Sequence, residues 1–465
     1  MTLTSQLDPS SLTIRDGERP RKSELFRSAL AMVLPSLAVL GSLAPGIGPF
    51  FAFRFSVPLF ALSMLIVRQS WPIRSTVRSV AILLCWVWLV ALLALAIAAR
   101  PSSSTWSEAL SVGIGLVLLA SWAAGTVSAE TIRVFGYGWL VAYLLTAIIA
   151  VWELLSGSHL SNYFFYHDVS LPDWTETNAI ASTLGNPNNY GFFLFASLIV
   201  LAVGRVSTNS RFARVIFSIA LLSIPVLLYF TESRTSLALW IAVLFLYFLL
   251  QRSLVTVLFT CFGAAAALVW GGVVGYANIL HGITEWFGAF NGGDSGKVRV
   301  NLTLNGIDFL LETYLLGLGP GGFESRMAQG GRFPTGGVLS PHNGAIEVLA
   351  QYGVIVFAAL VILLVLLMTT GWRAFRASPR GSQQRYLGGA LVVAALTLPP
   401  IVVTNSSTLT QSFPWVYLAF LVIVGIHLNQ VTPRRTDPPH PPALGSRSGR
   451  PRDFGRWALL NRGRY

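Results

Sequence analysis

The chain has 465 residues, 54% of them hydrophobic and 11% charged, with a formal net charge of +13 and a mean hydropathy of +0.64. That balance lies well outside the range of soluble globular chains and excludes water as the main solvent. The positive charge points to a membrane face and anionic head groups rather than to nucleic acid, because the arginines are strung along the chain and gathered in the Pro/Arg-rich stretch Thr432 to Tyr465.

In chain order, a polar leader over 1–27 precedes the first apolar stretch, which begins near Ser28 and runs into Pro35, a pattern expected of a retained N-terminus rather than a cleaved signal. A helix needs about 20 apolar residues to cross the hydrocarbon core, fewer where it is an end or a tilted partner. Spans are predicted at 28–43, 49–67, 77–98, 107–125, 134–155, 188–203, 213–230, 234–250, 253–274, 343–369, 387–403 and 413–429. The expected fold is therefore all-α: a polytopic membrane domain, 28–429, of twelve helices with tails at 1–27 and 430–465. The turn at Ala44 to Gly48 leaves room for a re-entrant hairpin. Cys85 and Cys261 lie within apolar runs and give no disulfide framework. No repeat of fixed period is visible, nor are the symmetric broken half-helices of many secondary transporters.

Charge tests this register independently. With both termini cytoplasmic, the inside segments and adjoining span ends hold 25 of the 32 cationic residues, from Arg15 through Arg385 to eight arginines of the tail. The outside then keeps Arg100, Arg234, Lys297, Arg299, Arg326 and Arg332, while Arg54 falls within a span. This is the asymmetry that orients membrane helices.

Two outer segments are too long to be simple connectors, Ser156 to Pro187 and Gly275 to Pro341. The second contains an amphipathic stretch, Val300, Leu304, Ile307 and Leu311 on one side and Asn301, Asn305, Asp308 and Glu312 on another, expected to form a helix near the membrane surface. Three residues on this outer face carry candidate chemistry. Arg234 opens a helix in Thr231-Glu232-Ser233-Arg234, where it serves either function or a snorkelling, Glu232-paired boundary. Arg299 precedes the amphipathic helix, where a guanidinium grips phosphate oxygens or is a solvated loop charge. His342 follows Pro341 at the entry to the next span, as a general base or a structural interfacial histidine.

Other patterns carry no chemistry. Gly317, Gly319 and Gly322 satisfy G-x-G-x-x-G, but no strand precedes them, so they read as a tight turn; Gly296-Lys297 lacks the rest of a phosphate-binding P-loop. Neither an acidic pair nor a His/Cys cluster at metal-ligand spacing is legible on the outer face, so the expected mechanism needs no metal and no cofactor.

Gly185-Asn186-Pro187-Asn188, Ser233-Arg234-Thr235-Ser236, Arg299 followed by Leu316-Gly317-Leu318-Gly319-Pro320-Gly321, and His342-Asn343 with Glu347 together resemble, in order and spacing, the O-antigen ligase and polymerase superfamily. The resemblance covers roughly Ala179 to Met368. It implies a glycosyltransferase fold of the C type and transfer of a glycan from an undecaprenyl diphosphate carrier to an acceptor hydroxyl at the outer face of the bacterial plasma membrane, with inversion at the anomeric carbon. It also implies that His342 activates the acceptor, that Arg234 and Arg299 hold the diphosphate, and that Asn186, Asn188, Asn343 and Glu347 support them. Ligase and polymerase share the motif set. The alternatives are a transporter or flippase of a lipid-linked or anionic substrate, in which the arginines line a path, and a non-catalytic membrane scaffold.

Overall fold

The computed structural model describes residues 22–47, 49–66, 75–98, 103–162, 179–251, 294–403, 405 and 408–432. Among these, the chain forms α1 (Lys22–Leu40), α2 (Ala52–Ile66), α3 (Thr76–Ala98), α4 (Ser103–Ala124), α5 (Ala129–Ser156), α6 (Pro187–Ser207), α7 (Arg211–Phe230), α8 (Arg234–Gln251), α9 (Asp294–Glu312), α10 (Gly322–Ala328), α11 (Gly344–Ala377), α12 (Gln383–Val403) and α13 (Ser412–Val431). Eight helices are long and apolar enough to cross a membrane, and Ser28–Leu43, Ala52–Met64 and Thr235–Tyr247 are shorter apolar helices. These match all the predicted spans but the ninth, 253–274, which lies outside the described residues together with most of the two tails. The chain is an all-α polytopic membrane protein. At the Ala44 to Gly48 turn the structure has a miniature hairpin, β1 (Gly46–Ile47) pairing antiparallel with β2 (Phe50–Phe51).

Local chemistry sets the ends of the helices. Ser128 and Thr131 form a reciprocal capping box at the start of α5, and Gly157 closes that helix in a left-handed conformation. Asn186 caps α6 with Pro187 at its first position, and Ser210 caps α7. Short connections make most successive helices antiparallel. Gly136 near the start of α5 meets Gly204 near the end of α6 across the long connector, and Tyr352 in the first turns of α11 bonds Glu108 near the start of α4. The C-terminal ends of α3, α5, α7 and α12 and the N-terminal ends of α4, α6, α8, α11 and α13 therefore share one face, termed the loop face. Hydrogen bonds from Gly321 to Glu108 of α4 and from Ile180 to Phe230 of α7 mark that face, and one from Gln383 to Ser207 marks the opposite one.

Lipid solvates the outside of the bundle. Leu83, Trp86, Val90, Leu93 and Ile97 of α3, and Phe212, Val215, Ile219, Leu222 and Val226 of α7, recur at helical spacing and are each more than half exposed. At the centre stands α13, buried at every residue from Trp415 to Leu428. Helices α11 and α12 meet backbone to backbone: a Cβ on Gly371 would lie 2.8 Å from the carbonyl oxygen of Gly388. Small residues permit such approach where dispersion, not water exclusion, drives helix association. Arg54, within α2 as expected, is buried and satisfied, donating to Pro49 O at 2.6 Å and Ser111 Oγ at 2.5 Å.

Candidate active site on the loop face

Helices α9 and α10 form a small body on the start of α11, with Leu302, Phe309, Phe323, Met327, Ile346 and Ala350 as its own apolar core. The amphipathic stretch is helical as expected, and its apolar stripe faces away from the protein. Val300, Leu304, Ile307 and Leu311 are exposed, while Leu302, Asn305, Gly306, Phe309 and Leu310 are buried. Asn305 tolerates burial because Phe333 satisfies it twice: Oδ1 accepts from Phe333 N and Nδ2 donates to Phe333 O, both at 2.9 Å. Asn301 Nδ2 donates to Pro334 O at 2.7 Å, completing the stitch. Beside a bilayer the apolar stripe need not turn inward, so amphipathicity alone does not say which stripe meets protein.

Because α9 begins at Asp294, Arg299 lies inside the helix instead of preceding it. One turn on, Thr303 Oγ1 donates to Arg299 O at 3.0 Å and accepts from Asn343 Nδ2 at 3.5 Å. Asn343 also caps α11, its Oδ1 accepting from Ala345 N at 3.1 Å and Ile346 N at 3.2 Å. This relay brings Arg299 to His342, the residue before the cap. The imidazole is half-buried, and its pKa is pushed down to about 4, first by burial and then by the nearby Arg299 guanidinium. His342 is therefore neutral at physiological pH. It also adopts φ +45°, a left-handed backbone that is uncommon for non-glycine residues and that Ser182, Glu232, Tyr314 and Leu315 share.

Glu347, one turn into α11, is 3% exposed and accepts from Thr408 N at 2.9 Å and Leu409 N at 3.4 Å, fixing the approach to α13. Six residues later α11 breaks: Gly353 has φ +79° and ψ 177°, far from helical values. The glycine segment predicted as a tight turn inserts there. Leu318 N donates to Ala350 O at 2.9 Å, Gly319 N to Gln351 O at 2.8 Å, and Val354 N to Leu315 O at 3.0 Å. Every backbone group freed by a helix break inside a membrane needs such a partner. A Cβ on Gly353 would lie 2.4 Å from Leu316 O, and one on Gly317 would lie 2.6 Å from Gln351 O. A broken helix is thus present although the sequence did not display one.

The structure also assembles an acidic group that the sequence did not display. Glu108, buried near the start of α4, accepts from Gly321 N at 3.0 Å through Oε2 and from the Tyr352 hydroxyl at 2.9 Å through Oε1. With Glu324, Glu347, Gln351 and Pro341 it lines a cavity of about 130 Å³. The three acids come from separate stretches of the chain, Glu108 from far upstream of the other two, which hid them. The available signal was a lone carboxylate in the first turns of an apolar helix, which is a functional hypothesis by default. Among the described residues, no group of three His, Cys, Asp or Glu side chains is arranged to hold a metal ion.

Arg234 opens α8 on the same face, beside a larger cavity of about 660 Å³ lined by Glu153, His159, Tyr229, Glu232, Ser233 and others. The turn before it is tied down by hydrogen bonds from Thr231 Oγ1 to Leu228 O at 2.7 Å and between the Ser233 and Ser236 hydroxyls at 2.9 Å. Glu153, a second acid not singled out from the sequence, pairs with His159 Nδ1 at 3.1 Å and accepts from Ala181 N and Ser182 N. Asn186 uses its Oδ1 to accept from Asn188 N at 2.9 Å, a helix-capping contact. Asn188 is half-buried in the first turn of α6. The structure thus gathers Arg299, His342 and Asn343 at one point, with Glu347 just below, while Arg234, Asn186 and Asn188 belong to the neighbouring rim.

Comparison with known proteins bears on the family. Teichuronic acid biosynthesis protein TuaE of Bacillus subtilis (strain 168) is 22% identical over 297 residues, covering 62% of this chain and 60% of that relative. The chain thus spans about 60% of that relative's length. Residues 196–361, from within α6 to within α11, match the family described as O-Antigen ligase. The match encloses Ser233-Arg234, Arg299, the glycine segment and His342, so residues 196–361 are similar to the same family that the ordered motifs resemble.

Proposed function

We propose that this protein transfers a glycan from an undecaprenyl diphosphate carrier to an acceptor hydroxyl at the outer face of the bacterial plasma membrane, as a ligase or a polymerase, with its loop face outward and its termini cytoplasmic. The observation that carries the reading is a histidine held neutral by burial and by the nearby Arg299 guanidinium, on the loop face of a membrane bundle. The arginine asymmetry supports the orientation.

The chemistry follows from those groups. His342 takes the proton of the acceptor hydroxyl, whose oxygen attacks the anomeric carbon. The bond from that carbon to the diphosphate oxygen breaks, and the diphosphate leaves with the electron pair. Such a leaving group needs no proton, so cations that meet its developing charge supply the main stabilisation. Arg299 takes that role, with Arg234, whose backbone opens α8 on the same face, as the second cation. Attack opposite the departing group inverts the anomeric centre. A pKa of about 4 makes free His342 a weak base. Diphosphate bound to Arg299 screens the guanidinium and raises the imidazole pKa, so proton affinity grows when donor arrives.

The test is reconstitution of the full chain in liposomes containing an undecaprenyl diphosphate-linked oligosaccharide, with a second donor molecule or a lipid-linked glycan as acceptor. Release of undecaprenyl diphosphate with formation of the longer glycan is expected. His342→Gln is expected to lower it by roughly 10²- to 10⁴-fold, the usual contribution of a general base, with an unchanged unfolding temperature. Full activity of that variant would falsify the mechanism. The break in α11, a device that transporters also use, favours one rival: movement of intact donor across the bilayer without release of the carrier.

A further inference from the structure

We propose that the cavity between α4, α10 and α11 is a slot for neighbouring hydroxyl groups on the edge of a neutral sugar, held by Glu108, Glu324, Glu347 and the side-chain carbonyl of Gln351. That the bound sugar is the acceptor rests on the transfer reaction above; the binding of a sugar edge does not.

The wall is rich in acceptors, with the hydroxyls of Ser107 and Thr410 beside them. Glu108 accepts from Gly321, Tyr352 and the Gln351 side chain, and Glu347 uses one lone pair on each oxygen for Leu409 and Thr408. A carboxylate offers about four acceptor positions, so both retain capacity. Gln351 is 2% exposed and lines the cavity, yet its Oε1 has no hydrogen-bond partner. Buried carbonyl oxygens are nearly always satisfied, and an orphan at a cavity wall marks where a donor is expected. Glu324, exposed at the rim, adds a further acceptor at the entrance. The slot therefore asks for several donors at once.

Size and position narrow the class. A volume of about 130 Å³ is room for the hydroxylated edge of a ring. The residues do not form a metal-binding set. Pro341, immediately before His342, is part of the wall. A sugar seated by its edge is thus presented next to the residue proposed to take its proton. Glu324, exposed at the rim, meets an anionic sugar with like charge, which makes the entrance a determinant of specificity by charge.

The experiment is saturation-transfer NMR on the full chain in nanodiscs, with methyl β-D-glucopyranoside, methyl β-D-galactopyranoside and methyl α-D-mannopyranoside as neutral probes and methyl β-D-glucuronide as the anionic one. At least one neutral probe should bind at least tenfold more tightly than the glucuronide. Glu324→Ala and Gln351→Met should each weaken it at least fivefold without moving the unfolding temperature. Glu324→Ala alone should also improve glucuronide binding, a change that a merely structural role would not produce. Absence of binding by every neutral probe, equal binding of the glucuronide, or unchanged binding in both variants overturns the proposal. The His342→Gln variant separates the two readings: retained sugar binding with lost transfer supports both, whereas retained binding in a wild-type protein that never releases carrier keeps the slot and removes the reaction.

Discussion

His342 joins two constraints that rarely coincide, a left-handed backbone and a depressed pKa. Because the base must be neutral, kcat/KM should stay flat from pH 8 to about 5 and fall tenfold per pH unit below about 4, where the free imidazole protonates. The fall in kcat should come at higher pH, since bound diphosphate offsets Arg299; a pH-rate series on reconstituted protein checks both limbs. Asn343 acts through its cap and its contact with Thr303, so Asn343→Ala should cost about 1 kcal/mol of stability, read as a lowered unfolding temperature, and should reduce turnover by more than that cost explains. Arg299 and His342 stood out as candidates in the sequence because they lie within and at the end of a loop whose length already marked it. Glu108 and Gln351 were not, because they come from helices whose meeting depends on packing across the bundle. Asn186 was legible as a conspicuous residue, but its side chain's capping duty appears only with the backbone that it caps.

Helix existence along the spans was readable from apolar runs, because lipid demands nearly unbroken hydrophobicity and internal backbone bonding. The facing of α9 was not. Two stripes were available, and the one that meets protein contains Asn305, whose partner Phe333 lies in the following loop, and Gly306, which packs against Ile346 of α11. Nor was the break at Gly353, since a single glycine in an apolar run is compatible with a continuous helix. Its backbone conformation is open essentially only to glycine, and a Cβ would collide with Leu316 O. Gly353→Ala should therefore cost roughly 1–3 kcal/mol in backbone strain alone and loosen residues 315–319. Limited proteolysis should then cut that segment faster while the membrane bundle stays intact. An unaltered cleavage rate would show that the inserted segment does not depend on the break.

For the molecule as a whole, the arginine asymmetry and the alternating helices make one topological statement. In a background with Cys85 and Cys261 replaced by serine, a cysteine at Gly337 should react with a membrane-impermeant maleimide added to intact cells, and one at Ser448 should not. The reverse pattern removes the proposed orientation. The lipid-facing stripes make a second: Ile219→Arg, at the middle of α7, should impose about 2.5–3.5 kcal/mol on membrane insertion, measurable in a glycosylation-mapped insertion assay, while the same change at the rim position Phe212 should impose much less. The break in α11 also decides how such proteins can be recombined. Residues 344–352 are bonded to the loop body through Leu318 and Gly319, although by sequence they look like the start of a membrane span. A chimera that carries a relative's loop on this bundle therefore needs its second junction beyond Val354; a junction at His342 would separate the graft from the strands of backbone that hold it.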